Sequence, residues 1–302
     1  MRAQSGRMDT RIRFFSEGIP VIGVLGTPGG ADERRPAVVV NHGLSGLKEM
    51  WIPQIAAALE DAGYVTLRFD YRHFGESGGE PRYRQLPLRQ VEDVLSAVTF
   101  FESQPAVDPD RIGVFGLATG GAIAMYAAAL DARIRCAVLL EAPADTERVF
   151  RRAAYDSIIA KARAAKRRFV LTGEAPTMSW AHMWRHIDPQ VFEQVKAMEQ
   201  RFERFSSQIT EESFVDFWSF RPEAVVDRIA PRAVMWIHAR NDERVLLFEA
   251  ESAFAKAGEP KKLVVLDGPH SIYFSTALPT VIENAISWFD EHLRSASGPR
   301  PS

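Results

Sequence analysis

The stretch Arg111-Ile112-Gly113-Val114-Phe115-Gly116-Leu117-Ala118-Thr119-Gly120-Gly121-Ala122 decides how the rest of the chain is read. A short apolar strand runs into a tight glycine turn, and a helix of small residues follows. Gly116 and Gly120 flank position 118 as in the pattern G-x-S-x-G, which carries a nucleophile on a sharp strand-to-helix turn above a sheet. Alanine stands where that pattern has serine.

Working outward, the flanking segments repeat the strand–helix unit. Residues 37–40 are a mostly β-branched run, expected for a strand buried on both faces. Residues 51–62 have helical spacing and end at Gly63, a C-terminal cap signal. Residues 64–69 predict another strand. Residues 88–101 predict a helix with Val91, Val94, Leu95 and Val98 on one face. Ahead of these, residues 11–25 alternate around Glu17-Gly18 and predict an antiparallel hairpin. After the turn come a strand at 133–140, then strand 233–238, helix 247–257, strand 262–266 and a closing helix at 281–293. Such a rhythm demands a mostly parallel α/β sheet flanked by helices on both sides. The segment 145–228 interrupts it with helical patterns and no strand pattern. It holds Trp180, Trp184, Trp218, Met178 and Met183, and is expected to form a helical cap. The expected organisation is a core of 1–144 and 229–302, a cap of 145–228, and a disordered tail at 294–302.

Composition narrows the class. A chain of 302 residues with 46% hydrophobic residues builds a sizeable core, and a formal net charge of −2 offers no attraction to nucleic acid or an anionic membrane. The single cysteine, Cys136, excludes an internal disulfide framework and a cysteine zinc site, and its apolar run reads as a buried structural thiol. Residues 1–13 lack the apolar core of a signal peptide, and no run is long enough to span a bilayer. The expectation is a cytoplasmic enzyme with a small-molecule substrate, no nucleic-acid partner and no membrane association.

Acyl transfer requires a nucleophile, a base, a group that orients the base, and donors for the oxyanion. His270, in Leu266-Asp267-Gly268-Pro269-His270-Ser271, follows the last strand and is the candidate base. Asp242, in Arg240-Asn241-Asp242-Glu243-Arg244, follows the preceding strand and is the candidate acid, with Glu243 as runner-up. The chain order elbow, Asp242, His270 agrees with the nucleophile–acid–base order of sheet-edge sites of this kind. The loop Asn41-His42-Gly43-Leu44-Ser45-Gly46 leaves the first buried strand. Its Leu44 N–H and the N–H of Thr119, just past the elbow, are the candidate oxyanion donors. His42 reads as a structural histidine of that loop.

On these residues the chain resembles the α/β-hydrolase superfamily, and within it the branch of dienelactone-hydrolase-like and prolyl-peptidase-like enzymes. The His42-Gly43 loop, the segment Asp70-Tyr71-Arg72-His73-Phe74-Gly75-Glu76-Ser77 (D-Y-R-G-x-G-x-S in many relatives), the Gly116 to Gly120 elbow, Asp242 and His270 carry the resemblance. It covers nearly the whole chain apart from the cap. It implies a serine hydrolase acting on an ester, thioester or amide without a cofactor. Relatives are often homodimers, and no apolar stripe in the sequence marks such an interface.

Ala118 departs from that pattern, and three readings follow. Preferred is a serine enzyme whose nucleophile has been replaced, leaving an inactivated form. A second is a native enzyme using His270, Asp242 and the oxyanion donors for lyase, isomerase or carbon–carbon cleavage chemistry. The third is a ligand-binding relative without turnover. Thr119, Ser45 and Cys136 are rejected as substitute nucleophiles, since only the elbow position is built to face the base. His182 and His186 share a helix face at i and i+4, yet no third ligand accompanies them and no metal is expected. The basic residues Lys161, Arg163, Lys166, Arg167 and Arg168 read first as a solvated helix face and second as a rim that attracts an anionic substrate. His42, Gly43, Ser45, Trp180, Trp184, Trp218 and Tyr273 are the expected substrate-pocket residues.

Overall fold

A computed structural model describes residues 6–29, 33–153, 155–272 and 276–294. The predicted hairpin forms as β1 (Met8–Ser16) and β2 (Ile19–Thr27), turning at Glu17 and Gly18. Then follow β3 (Arg35–Asn41), α1 (Ile52–Asp61), β4 (Val65–Phe69), α2 (Pro87–Glu102), β5 (Val107–Leu117), α3 (Thr119–Leu130) and β6 (Ile134–Leu140).

The chain next leaves the sheet through α4 (Thr146–Arg151), α5 (Tyr155–Thr172), β7 (Thr177–Ser179), α6 (Ala181–Trp184), α7 (Val191–Arg201), β8 (Gln208–Thr210) and α8 (Ser213–Trp218). It returns as β9 (Ala233–Ala239), α9 (Leu247–Lys256), β10 (Lys261–Leu266) and α10 (Leu278–Phe289), with a final π-helical turn over Asp290–Arg294. Beyond Arg294 the expected tail lies outside the described residues.

Eight strands form one sheet in the order β1-β2-β4-β3-β5-β6-β9-β10. β2 runs antiparallel to both β1 and β4, and every pairing from β4 to β10 is parallel. The two-residue side-chain period of the strands divides the core. Ala37, Val39, Val114, Val234 and Trp236 pack on one face with α2, α3 and α9. Val38, Val40, Phe115, Leu117, Met235 and Ile237 pack on the other with α1 and α10. Strands buried on both faces explain the continuous apolar runs.

The segment between β6 and β9 contains an element the sequence did not announce. β7 and β8 pair antiparallel, Thr177 opposite Thr210 and Ser179 opposite Gln208. Three residues per strand are too few for alternation to stand out, so their pairing is set by the surrounding packing. This insertion has its own core of Phe150, Trp184, Val195, Phe214, Phe217 and Trp218, extended by Leu47 and Met50 of the sheet's own loops. Its root is pinned by Glu249 on α9. That buried carboxylate accepts the Ala144 and Asp145 N–H groups at 3.1 and 3.0 Å and two Arg148 guanidinium N–H groups at 2.6 and 2.8 Å.

The segment beginning at Asp70 has a structural explanation. Asp70 is fully buried and accepts the Lys48 N–H at 2.8 Å, the Lys48 ammonium at 2.7 Å and the Glu76 N–H at 2.9 Å. Arg72 grips Asp93 of α2 through Nε (2.8 Å) and a terminal nitrogen (2.7 Å), and reaches Glu17 in the hairpin turn at 2.6 Å. His73, at the position where the D-Y-R-G-x-G-x-S pattern has glycine, sits at φ 70°, the left-handed region that glycine enters without a Cβ clash. Burial pushes its imidazole down to about 4, so it is neutral, and its Nδ1–H donates to the Pro81 carbonyl at 3.0 Å.

Candidate active site

β5 lies between β3 and β6, so its C-terminal end opens at the centre of the sheet edge, where open α/β sheets place their sites. The chain reverses there at Ala118, whose φ of 48° and ψ of −119° are an unusual conformation for a residue with a Cβ. Its N–H donates to Leu140 O at 2.8 Å, and its carbonyl accepts the Gly121 and Ala122 N–H groups at 2.8 and 3.1 Å, starting α3.

The turn is possible only because two residues lack a Cβ. A Cβ on Gly116 would lie 2.4 Å from Gly120 O, and one on Gly120 would lie 2.2 Å from His42 O. Gly120→Ala is therefore expected to destabilise the protein by about 1–3 kcal/mol, since only backbone stands in the way. Urea denaturation measures this, and an unchanged midpoint would contradict the contact.

Sequence-distant loops meet at this turn. His270 donates its Nδ1–H to Asp242 Oδ2 at 2.7 Å, which leaves Nε2 as the acceptor nitrogen. The other oxygen of Asp242, Oδ1, accepts the Arg244 and Val245 N–H groups at 2.9 and 2.7 Å, fixing the carboxylate from its own loop. Glu243, the runner-up acid, accepts the His270 backbone N–H at 3.2 Å instead of its ring.

Thr119 is the first residue of α3, so its N–H has no intrahelical acceptor. Among the described residues no protein acceptor pairs with the Leu44 N–H either. His42 is buried beneath this loop, donating Nδ1–H to Gly43 O at 2.9 Å and packing edge-on to Tyr71. Burial holds its imidazole below the ordinary value, and it reads as a neutral structural group.

Ala118, Thr119, Gly43, Leu44 and His270 line a chamber of about 80 Å³. The insertion supplies Val149, Phe150, Trp180, Trp184, Gln194 and Met198 to its wall. An outer groove of about 640 Å³ adjoins it and shares Trp51, Gln194, Met198, His270 and Ser271. Ser45 does not line the chamber, and its hydroxyl accepts the Trp180 indole N–H at 2.8 Å, which ties insertion to loop. Trp218 is also away from the wall, because its ring packs on Phe214 inside the insertion's core. Tyr273 lies outside the described residues.

His182 and His186 turn ring nitrogens to the Ser179 and Arg152 carbonyls, each at 3.1 Å. The basic residues of α5 stand apart from the chamber wall, with Lys166 bonded to Asp216 at 2.9 Å.

One residue of the cluster escaped sequence reasoning. Glu141, directly after β6, is fully buried, and its Oε2 lies 3.7 Å from His270 Nδ1. The ligand atoms of Glu141, Asp242 and His270 all lie within 4.8 Å of one another. In sequence it was the last letter of an apolar run followed by Ala142-Pro143, and a lone glutamate at a strand end is common.

Burial of the His270 ring disfavours its charged form, but the Asp242 and Glu141 carboxylates outweigh burial and hold it above its ordinary value of 6.5. A raised folded value means that the stabilisation from this group is complete below the unfolded value and is lost as pH rises through the folded one. For catalysis the sign is opposite, because a base must be neutral. An active-site assay is therefore expected to show its acid limb above pH 6.5, and a limb below that value would contradict the two-carboxylate environment.

The chain is 45% identical over 100 residues to the thiohydrolase aneE of Aspergillus aculeatus, an alignment that takes in 33% of this chain and 31% of that one. The chain thus spans about a third of that relative's length. It is 26% identical over 276 residues to the polyketide transferase grgF of a Penicillium species, covering 87% of this chain and 90% of the relative. The crystal structure of the hypothetical protein PA2218 from Pseudomonas aeruginosa superposes with a TM-score of 0.84 at 23% identity, over 97% of this chain and 96% of that one. The profile of the alpha/beta hydrolase fold matches residues 36–276. Since that match runs from within β3 past the end of β10, the chain belongs to the alpha/beta hydrolase fold family.

Proposed function

We propose that this site is built for acyl transfer from a thioester or ester of a small or medium apolar acid, and that the Ala118 chain is its nucleophile-less form. The observation that carries the reading is the backbone of Ala118 itself. A non-glycine residue held at φ 48° costs on the order of 1–3 kcal/mol, and such strain persists where the surroundings over-determine it. A methyl group gains nothing from being aimed into a chamber opposite an imidazole. A hydroxyl gains a base.

In the serine form, the oxygen at position 118 attacks the carbonyl while His270 Nε2 takes its proton. Asp242 holds the ring and stabilises the imidazolium. The Leu44 and Thr119 N–H groups receive the oxyanion, and His270 returns the proton to the departing thiol or alcohol. Water, activated by the same imidazole, then releases the acid. The apolar wall of Val149, Phe150, Trp180 and Trp184 supports an apolar acyl part. Relatives named thiohydrolase and polyketide transferase support acyl chemistry of this class.

The test compares the Ala118 chain with Ala118→Ser on a panel of p-nitrophenyl esters and acyl thioesters, with His270→Ala added to each. Turnover that appears with serine and disappears without His270 agrees with the proposal. Turnover by the Ala118 chain that depends on His270 and is not raised by serine would overturn it, favouring a dyad that abstracts a proton from substrate directly.

A further inference from the structure

The His270 ring has a second carboxyl beside it. Glu141 sits at φ 49°, and its backbone N–H donates to Ile237 O of β9 at 2.9 Å, so both its strain and its place are held by the sheet. Its Oε2 accepts the Ser271 N–H at 2.9 Å and its Oε1 accepts the Ile272 N–H at 3.2 Å. These are the two residues that follow the base. The same Oε2 stands 3.7 Å from the Nδ1 edge that Asp242 already bonds.

We propose that Glu141 is a positioning residue for His270, clamping the loop that carries the ring and setting a second carboxylate against the ring's Nδ1 edge. The role rests on the reading of His270 as the base of the site. Burying a carboxylate is costly, and two backbone N–H groups alone are a small return for it. Burial pushes the Glu141 carboxyl up to about 7. Among the described residues, the charged groups acting on the ring are Asp242 beyond β9, Glu141 beyond β6 and Arg244, whose charge opposes the imidazolium, while Glu243 holds the His270 backbone N–H. Behind Asp242, at 3.6 Å, lies His238, which burial keeps below its ordinary value. Glu141 thus joins Asp242 in favouring the protonated ring.

The decisive measurement is an NMR titration of the His270 imidazole in the unmodified chain and in Glu141→Gln, which needs no enzymatic activity. Removing the second charge is expected to lower the ring's midpoint by roughly one unit. An unmoved midpoint in a folded Gln variant overturns the proposal. Should the Gln variant not fold, Glu141→Asp, which keeps the charge and shortens its reach, is expected to lower the midpoint in the same direction, and an unmoved midpoint in that folded variant overturns the proposal. In the Ala118→Ser background, Glu141→Gln is expected to lower kcat/KM by roughly ten- to a hundred-fold and to move the acid limb downward. A rate loss with an unmoved limb would mean a merely structural role and overturn the proposal. If Ala118→Ser has no activity at all, the acyl-transfer reading fails while the NMR titration still judges Glu141.

Discussion

Serine at position 118 is expected to raise ester and thioester turnover by about 10³-fold or more over the Ala118 chain. The magnitude follows from enzymes in which deleting the triad serine costs about 10⁶ in kcat and leaves about 10³ to 10⁴ over water. Here the parts of the proposed site stand assembled: His270 bonded to Asp242 at 2.7 Å, an elbow at φ 48°, and a helix N-terminal N–H beside it. The substitution adds one oxygen to a side chain that already lines the chamber, so folding stability is expected to change by less than about 1 kcal/mol. Ala118→Gly isolates the strain, since removing the Cβ should stabilise the protein by roughly 1 kcal/mol without creating activity. Kinetics with a p-nitrophenyl ester and thermal melts of the three proteins check these values together. Failure of Ala118→Ser to gain activity, with its fold intact, would mean that the chamber serves another reaction.

Asp70→Ala is expected to destabilise the protein by about 3–5 kcal/mol, the range seen when one member of a buried pair is removed. The carboxylate is fully buried and satisfies two backbone N–H groups and one ammonium, so alanine leaves three donors without it. Lys48→Met is expected to cost less, because Asp70 keeps its two N–H donors. Lys48 has further partners in Glu49 at 2.7 Å and Glu76 at 2.8 Å, which blunt its own loss of Asp70. Chemical denaturation of both variants tests the order, and Lys48→Met as damaging as Asp70→Ala would refute it. The same contact bears on chemistry. Lys48 follows the loop of Gly43 and Leu44, so losing Asp70 should loosen the proposed oxyanion donor at Leu44 and reduce the gain from Ala118→Ser.

Much of the fold was legible because burial leaves a period in sequence. The apolar run of β3 and the helical face of α2 each declare their own environment, and Glu17-Gly18 declare the turn between β1 and β2. β7 and β8 were not legible, being too short to carry a period. Gly116 and Gly120 marked the elbow because the close approach admits no Cβ. Asp242 and His270 were named from their places after successive strands, and the geometry brings those two side chains together. Trp218 could not be told from Trp180 and Trp184 in sequence, since an apolar helical residue reads alike whether it faces a chamber or the insertion's core.

The sequence alone thus determined the strand and helix succession of the large sheet, the sharp turn at Ala118, and the loops that carry Asp242 and His270. These are local properties, written in side-chain period and in the need for glycine. Only the tertiary structure decided that Glu141 stands against His270 and bonds Ser271 across 130 residues of chain, that Trp180 hangs on Ser45, and that Arg72 locks α2 to the hairpin. Such contacts depend on which strands lie side by side and in what register. That is settled by the packing of the whole sheet, and no short stretch of sequence records it.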